Sequence, residues 1–267
     1  MRIESAGASF SSAFSTSGWN FGSTLSGLTL GKVGNTANIT WASANSVAGP
    51  VTIYGGAVAM NAGLTTTQAS NGNVGITTSG LSGTGGITLA DGRTLTVTQS
   101  GNSSYSGVIN GTGAALVKAG AGTLTLVGAN GFTGATTVNA GALKSGAAGV
   151  LHDSSAVSVA SGASWDLNGF AETVGSIAGG GSITLGTATL TAGGNNSDTS
   201  FSGVLAGTGG LTKTGTGTLT LSGANTFTGA TRVSAGSLKS GAAGVLHDSS
   251  ALTIDAGAAW DLAGNNE

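Results

Sequence analysis

The sequence predicts an all-β solenoid of roughly 11–12 stacked rungs. Three observations lead there. Apolar residues recur at every second position over short runs, as in "TLTL" at 123–126 and "AVSV" at 156–159, the period of a strand with one buried face. Each run closes after about 4–6 residues on a cluster of Gly, Asn, Asp or Ser, such as "GANG", "SGAAG" or "HDSS". The chain also repeats itself at long range. Residues 118–169 and 213–264 are identical at 38 of 52 positions, and "SGAAGVLHDSSA" occurs unchanged at 145–156 and 240–251.

The short strands follow from local chemistry. In "TLTL" the leucines share one face and the threonines the other, and "TTV" (136–138) and "ITL" (183–185) behave alike. No window carries an i, i+3, i+4, i+7 apolar stripe, so no substantial helix is expected. Short strands with Gly turns also suit sandwiches, barrels and propellers, but a 95-residue unit is too large for a propeller blade. It divides into about four rungs of roughly 22–25 residues, the size of a β-helix coil. Stacking such coils pairs each rung's backbone groups with those above and below at ~4.8 Å intervals.

Composition supports this reading. Of 267 residues 51 are glycine and one is proline, and there is no G-X-Y period, which excludes collagen. Charged residues make up 7% and apolar ones 39%, unlike a disordered chain, which joins low hydrophobicity to high net charge. Equivalent outward positions on neighbouring rungs lie one strand spacing apart. Like charges would repel there, and Ser, Thr and Asn do not. A net charge of −2 attracts neither nucleic acid nor an anionic membrane surface. The absence of cysteine rules out disulfides and thiolate metal sites. No apolar run approaches the ~20 residues of a membrane-spanning helix.

Three regions are expected along one continuous solenoid. Residues 1–83 are divergent coils, 84–179 hold the first long repeat, and 180–267 hold the second. "YSGVINGTG" (105–113) answers "FSGVLAGTG" (201–209) upstream of the strongest match. The second repeat stops at "WDLAGNNE" where the first continues into "FAETVGSIAGGGSITL", which implies a chain cut inside its pattern. The start, "MRIESAGASFSS", lacks the apolar core of a signal peptide. Either a cytosolic protein or a segment excised from a larger secreted chain is expected.

The stretch "LVKAGAGTLTLVGANGFTGATTVNAGAL" (116–143) closely resembles the passenger-associated transport repeat of bacterial autotransporters, also called the autotransporter-associated β-strand repeat. The matching positions are Leu116, Lys118, Gly120, Gly122, Thr123, Leu124, Leu126, Gly128, Asn130, Phe132, Gly134, Thr136, Val138, Gly141 and Leu143. A second copy runs from Leu211 to Leu238. Residues 41–80 are loosely similar to coils of filamentous haemagglutinin-type exoproteins. The resemblance implies a right-handed parallel β-helix on a Gram-negative surface, exported by a type V route with an outer-membrane translocator on or beside the full-length chain. It also implies that the repeats aid passage through the outer membrane and folding outside.

Candidate sites are few. His152–Asp153–Ser154–Ser155 and His247–Asp248–Ser249–Ser250 have the residue types of a hydrolytic triad. A triad needs its base within ~3 Å of a nucleophile and a third group orienting it, which chain neighbours seldom achieve. A local turn is expected instead. The ten acids are scattered, with no D-x-D pair for acid/base or calcium chemistry. Asp166 and Asp261, in "WDL", are expected to point outward. Trp165, Trp260, Phe132 and Phe227 are expected inside or at a corner, with sugar stacking as the alternative, while Trp19 and Trp41 fall in the divergent part. T-x-T units at 94–98, 123–125, 189–191 and 218–220 read as exposed β faces rather than ice-binding arrays. Asn38, Asn102 and Asn195 sit in N-x-S/T sequons. No catalytic, metal or cofactor residue is therefore assigned and no enzymatic activity is expected.

The expected function is structural: a stiff stalk and adhesion surface contacting host or neighbouring-cell molecules, matrix or other copies of itself, with no nucleic acid among its partners. A self-assembling fibre subunit is the first alternative and a β-helix polysaccharide-active enzyme the second.

Overall fold

The computed structural model describes residues 1–7, 9–247 and 250–266. Among them there is no helix, and every strand pairing is parallel, giving a β-solenoid of about 12 turns. The chain divides into two compact units, Met1–Gly134 and Ala135–Glu267.

In the first unit each turn lays strands on up to three faces. One face stacks Arg2–Ile3, Leu28–Leu30, Val51–Tyr54, Val74–Thr78, Thr94–Gln99 and Ala115–Ala119. A second stacks Phe14–Ser15, Ile39–Trp41, Ala57–Met60 and Gly80–Ser82, and Ser103–Tyr105 pairs with Thr123–Leu126 further along the chain. The third stacks Asn45–Val47, Leu64–Thr66, Ile87–Thr88 and Ile109–Asn110. Parallel strands need a long connection between partners, and here that connection is the rest of the turn. Registers join identical or similar side chains into interior columns. Leu28, Val51, Val74, Leu95 and Leu116 form one, and Leu30, Ile53, Ile76 and Val97 another. All nine are 0–2% exposed. At ~25 cal/mol per Å² of apolar surface, each such buried aliphatic side chain stabilises the stack by about 1.5–3 kcal/mol.

The divergent early turns are closed by aromatics. Phe10, Phe14, Trp19, Phe21 and Trp41 form an unbroken chain of ring contacts with centroids 5.1–5.6 Å apart. Trp41 is fully buried, and its indole N–H donates to the carbonyl of Gly63. Trp41 is interior and the other four rings are half-buried, so these residues, which belong to no sequence repeat, cover the early turns with aromatic bulk.

The second unit is built alike. One face stacks Thr136–Val138, Ala156–Val159, Ser176–Gly179, Thr199–Phe201, Thr218–Leu221, Ser237–Ser240 and Ala259–Asp261. Another stacks Ala142–Ser145, Ser164–Asp166, Ser182–Gly186 and Val204–Gly207. The third stacks Glu172–Val174, Leu190–Ala192, Leu211–Lys213, Thr231–Val233 and Leu252–Ile254.

The turn length corrects the expectation of about four rungs of 22–25 residues per repeat. Ser164 lies opposite Ser182, Ala156 opposite Ser176, and Ser237 opposite Ala259, separations of 18, 20 and 22 residues. Ninety-five residues are therefore not a whole number of turns. Equivalent segments of the two repeats fall on different faces: Thr136–Val138 lies in the first stack and its copy Thr231–Val233 in the third, while Ser164–Asp166 lies in the second stack and Ala259–Asp261 in the first. What each copy preserves is its relation to the turn beside it. Lys144 pairs with Asp166 at 3.2 Å and Lys239 with Asp261 at 3.5 Å, in each case between registered neighbours.

Candidate functional site

The repeated motif is most complete in the second unit, and its residues explain one another. Leu211, Leu219, Leu221, Phe227, Val233 and Leu238 are all buried in the interior. Their alternation with outward Thr and Ser is the strand period seen in the sequence. The glycines sit where turns touch. A Cβ on Gly223 would lie 1.7 Å from the carbonyl oxygen of Gly203, so no other residue fits without moving backbone. Gly215 adopts φ +67°, a region that glycine enters without steric penalty, and its missing Cβ would lie 2.0 Å from the Gly193 oxygen.

The motif's polar residues are also buried, Lys213 on the face of Leu211 and Thr231 on that of Val233. Lys213 is 1% exposed and takes an interior position between Ala192 and Val233 in the third stack. Its ammonium donates to the carbonyls of Thr214 (2.6 Å), Gly215 (2.9 Å) and Ala235 (3.2 Å). The first two acceptors close its own corner and the third belongs to the following turn. Burial lowers its pKa, and the nearby Asp198 carboxylate opposes that shift. Asn225 bridges both neighbours: the Leu205 amide donates to its Oδ1 (2.8 Å), and its Nδ2 donates to the Val245 carbonyl (2.7 Å). The Thr231 and Ser250 hydroxyls lie 3.3 Å apart, and Ser250 Oγ also donates to the Gly229 carbonyl.

The first copy repeats this arrangement. Lys118 is fully buried below Val97 in its column and donates to the Ala119 and Gly120 carbonyls at 2.9 and 2.8 Å. Burial pulls its pKa down to about 8. Asn130 Oδ1 accepts from the Ile109 amide, and Phe132 is fully buried. Thr136 Oγ1 and Ser155 Oγ are 3.1 Å apart and fully buried.

The other sequence candidates separate on inspection. His152 and Ser154 are held in a tight turn: the Ser154 amide donates to His152 Nδ1, the Ser154 hydroxyl lies 2.8 Å from the same nitrogen, and the Ser155 amide donates to the His152 carbonyl. The imidazole organises its own turn, while Ser155 faces inward to Thr136, away from it. Asp248 and Ser249 of the second copy lie outside the described residues; the Ser250 amide donates to the His247 carbonyl as in the first. Glu172 is the exception among the described acids, at 2% exposure. The amides of Val150 and Leu151 donate to its two carboxylate oxygens at 3.2 and 3.4 Å. Burial pushes its pKa up; the Ser145 hydroxyl and the two amides oppose that shift, and Asp153 adds to it. Among the described residues no group of three or more His, Cys, Asp or Glu could hold a metal ion.

Trp165 is fully buried, which removes it as a sugar platform. Trp260 is half-buried in an edge strand and donates to Ser240 Oγ at 3.1 Å. Two sequon asparagines lace turns together: Asn38 accepts from the Ala57 amide and Asn102 from the Thr123 amide. Asn195 Nδ2 donates to Ser176 Oγ.

A family model, the passenger-associated-transport-repeat, matches residues 116–144 and 211–239. In both segments the lysine, asparagine, phenylalanine and threonine are buried, and in the second copy Lys213, Asn225 and Thr231 hydrogen-bond to groups of neighbouring turns. No curated protein and no solved structure matches the chain. The two transport repeats together with the β-solenoid fold fit an autotransporter passenger.

Proposed function

We propose that this chain is a segment of a secreted passenger on the surface of a Gram-negative bacterium. It serves there as a stalk and interaction surface, and its transport repeats aid outer-membrane export and folding. The observation that carries the reading is that buried polar residues of the transport repeats bond to neighbouring turns, Lys213 and Asn225 to the following turn and Asn130 and Asn225 to the preceding one. A chain threaded unfolded through a narrow translocator gains structure only as it emerges. Nearest-neighbour contacts let each new turn add to the last without waiting for distant sequence. The lack of cysteine and the 7% charge content suit such threading. The partners in this reading are an outer-membrane β-barrel translocator and surface molecules of host or neighbouring cells or their matrix.

The test places the chain between a secretory signal and an outer-membrane barrel in a Gram-negative host. The intact chain should reach the surface in a protease-resistant form, and the cells should gain adhesion to cell layers or matrix proteins. Deleting residues 211–239 should slow surface appearance. Retention of the intact chain in the periplasm, or equally fast appearance of the deleted one, overturns the export role. Surface display without any gain in adhesion overturns the adhesive one.

A further inference from the structure

A concavity of about 470 Å³ lies in the first unit, where the turns leave their first face for their second. It crosses five successive turns, from the loop at residues 34–38 to Gly120 and Ala121, and its size falls among ligand sites of ~300–1,000 Å³. The loop forms one wall. Asn35 Nδ2 donates to the Tyr54 carbonyl at 2.7 Å and Asn38 Oδ1 accepts from the Ala57 amide at 2.8 Å, which fixes that wall against the next turn. Below it, Tyr54, Thr77 and Thr98 stand in register on successive strands, with Ser79 and Ser100 beside them at the corner.

Three properties define what this groove can hold. First, five of its hydroxyls are uncommitted. Inward-facing Thr78 and Gln99 hydrogen-bond to the backbone of Gly80, Gly101 and Thr123. In contrast, the side-chain hydroxyls of Tyr54, Thr77, Ser79, Thr98 and Ser100 bond to no other group among the described residues. Each can donate and accept. Second, no Asp, Glu, Lys, Arg or His lines the groove, so nothing offsets the desolvation of a charged ligand. Third, the half-exposed Tyr54 ring offers an apolar face with a polar tip. The strands beside the groove are paired on both sides, so they present no bare edge to an extended peptide. A sugar ring has the complementary form, an apolar C–H face rimmed by hydroxyls. Strand stacking repeats the hydroxyls every ~4.8 Å, which suits a chain of such rings laid along the stack.

We propose that this groove binds a neutral oligosaccharide, with Tyr54 against the face of one ring and the Thr77, Thr98, Ser79 and Ser100 hydroxyls exchanging hydrogen bonds with the sugar hydroxyls. The assignment rests on the interaction-surface reading above and gives it a ligand class. The test is a printed array of neutral and acidic glycans, including cellotetraose, maltotetraose, mannotetraose and tetragalacturonate, probed with the purified chain. Calorimetric titration with the strongest neutral glycan follows. Binding should be confined to neutral glycans. Y54A should weaken it at least about tenfold, and T77V/T98V about 5–10-fold, as expected for lost stacking and hydrogen bonds. T173V, at an exposed threonine of the second unit, should leave it unchanged, and circular dichroism should show each variant folded like the parent. No neutral binding by the folded chain, undiminished binding by both groove variants, or a preference for tetragalacturonate overturns the assignment. A folded chain that reaches the surface and binds no glycan removes the groove site alone. A chain that binds but stays in the periplasm removes the passenger reading alone.

Discussion

At the scale of single residues, the buried lysines are the least expected feature and the easiest to test. Lys213 satisfies three carbonyls that otherwise face the interior unpaired, and a buried acceptor left without a donor costs about 1–3 kcal/mol. K213M keeps the length and apolar stem but removes the donors. It should lower the unfolding free energy by about 1–3 kcal/mol in urea titration, and an unchanged midpoint would show that the carbonyls find other donors. Lys118 adds a pH signature. Its folded pKa is pulled down to about 8, against ~10.4 in an unfolded chain, so the fold pays the full penalty of the buried charge below pH 8. That penalty disappears as pH rises from about 8 to 10.4. The parent should therefore gain stability relative to K118M over this interval, by at most about 3 kcal/mol. Glu172 works in the opposite sense. Its pKa is raised by burial, so its contribution is fully present below the unfolded pKa and is lost as pH rises through the folded one. E172Q removes the charge and keeps one acceptor oxygen for the Val150 and Leu151 amides; the hydrogen bond it loses is lost at every pH, so the pH difference reads the carboxylate. Urea midpoints at pH 4.5 and 8 should show the parent falling relative to E172Q, and a relative rise would mean that the carboxylate is stabilised by its surroundings. None of these three positions announces its burial in the sequence. Parity places Lys118 on the face of Leu116 and Lys213 on that of Leu211, but lysine reads as an exposed residue, and the registered neighbours, Val97 above Lys118 and Ala192 beside Lys213, settle that both point inward.

At the scale of strands and turns, the corner glycines set how closely turns stack. Gly203 and Gly223 follow one another, with the Cβ of Gly203 falling 1.6 Å from the Gly181 oxygen and that of Gly223 falling 1.7 Å from the Gly203 oxygen. G223A must push two turns apart and should cost at least about 1–3 kcal/mol, the usual range for overpacking. Gly194, in a turn of the same unit, has nothing within 4 Å of its Cβ position and no positive φ. G194A should be neutral or stabilising by about 0.4–1 kcal/mol through the unfolded chain. Paired thermal melts read both; a harmless G223A would refute close stacking at that corner. Much of this level was legible beforehand. "TLTL", "TTV" and "AVSV" form strands with the expected inward faces because burial on one side enforces a period of two. Trp165 is interior by the same parity. Trp260 shares that parity and is half-buried in Ala259–Asp261, the last described strand of its stack. Trp19 and Trp41 could not be placed because residues 1–83 carry no internal register, and the aromatic chain they join depends on side-chain bulk rather than on period. The groove was illegible for a related reason: Asn38, Tyr54, Thr77 and Thr98 are far apart in sequence and meet only because consecutive turns share a corner.

At the scale of the whole molecule, the two repeats show which information the sequence stores. Identical stretches occupy different faces of the second unit, yet they keep the same partners one turn away: Thr136 with Ser155 and Thr231 with Ser250, Lys144 with Asp166 and Lys239 with Asp261. The duplicated sequence specifies neighbours, not sides, so copying it adds turns without requiring a fixed orientation. Hydrogen bonds between turns accordingly close short loops, from 17 residues between Leu167 and Thr184 to 28 between Ser9 and Ala37. Forming them costs little loop entropy, and losing one turn leaves the pairing of the turn beyond it intact. Mechanical extension from the two chain ends should therefore proceed in many small events. Releasing one turn of 17–28 residues lengthens the chain by about 55–100 Å, at ~3.3–3.6 Å per residue. Single-molecule force spectroscopy reads this directly. A ladder of increments in that range supports nearest-neighbour stabilisation, and K213M should lower the force of an event without changing its length. One abrupt release of the whole chain would show instead that the turns stand or fall together.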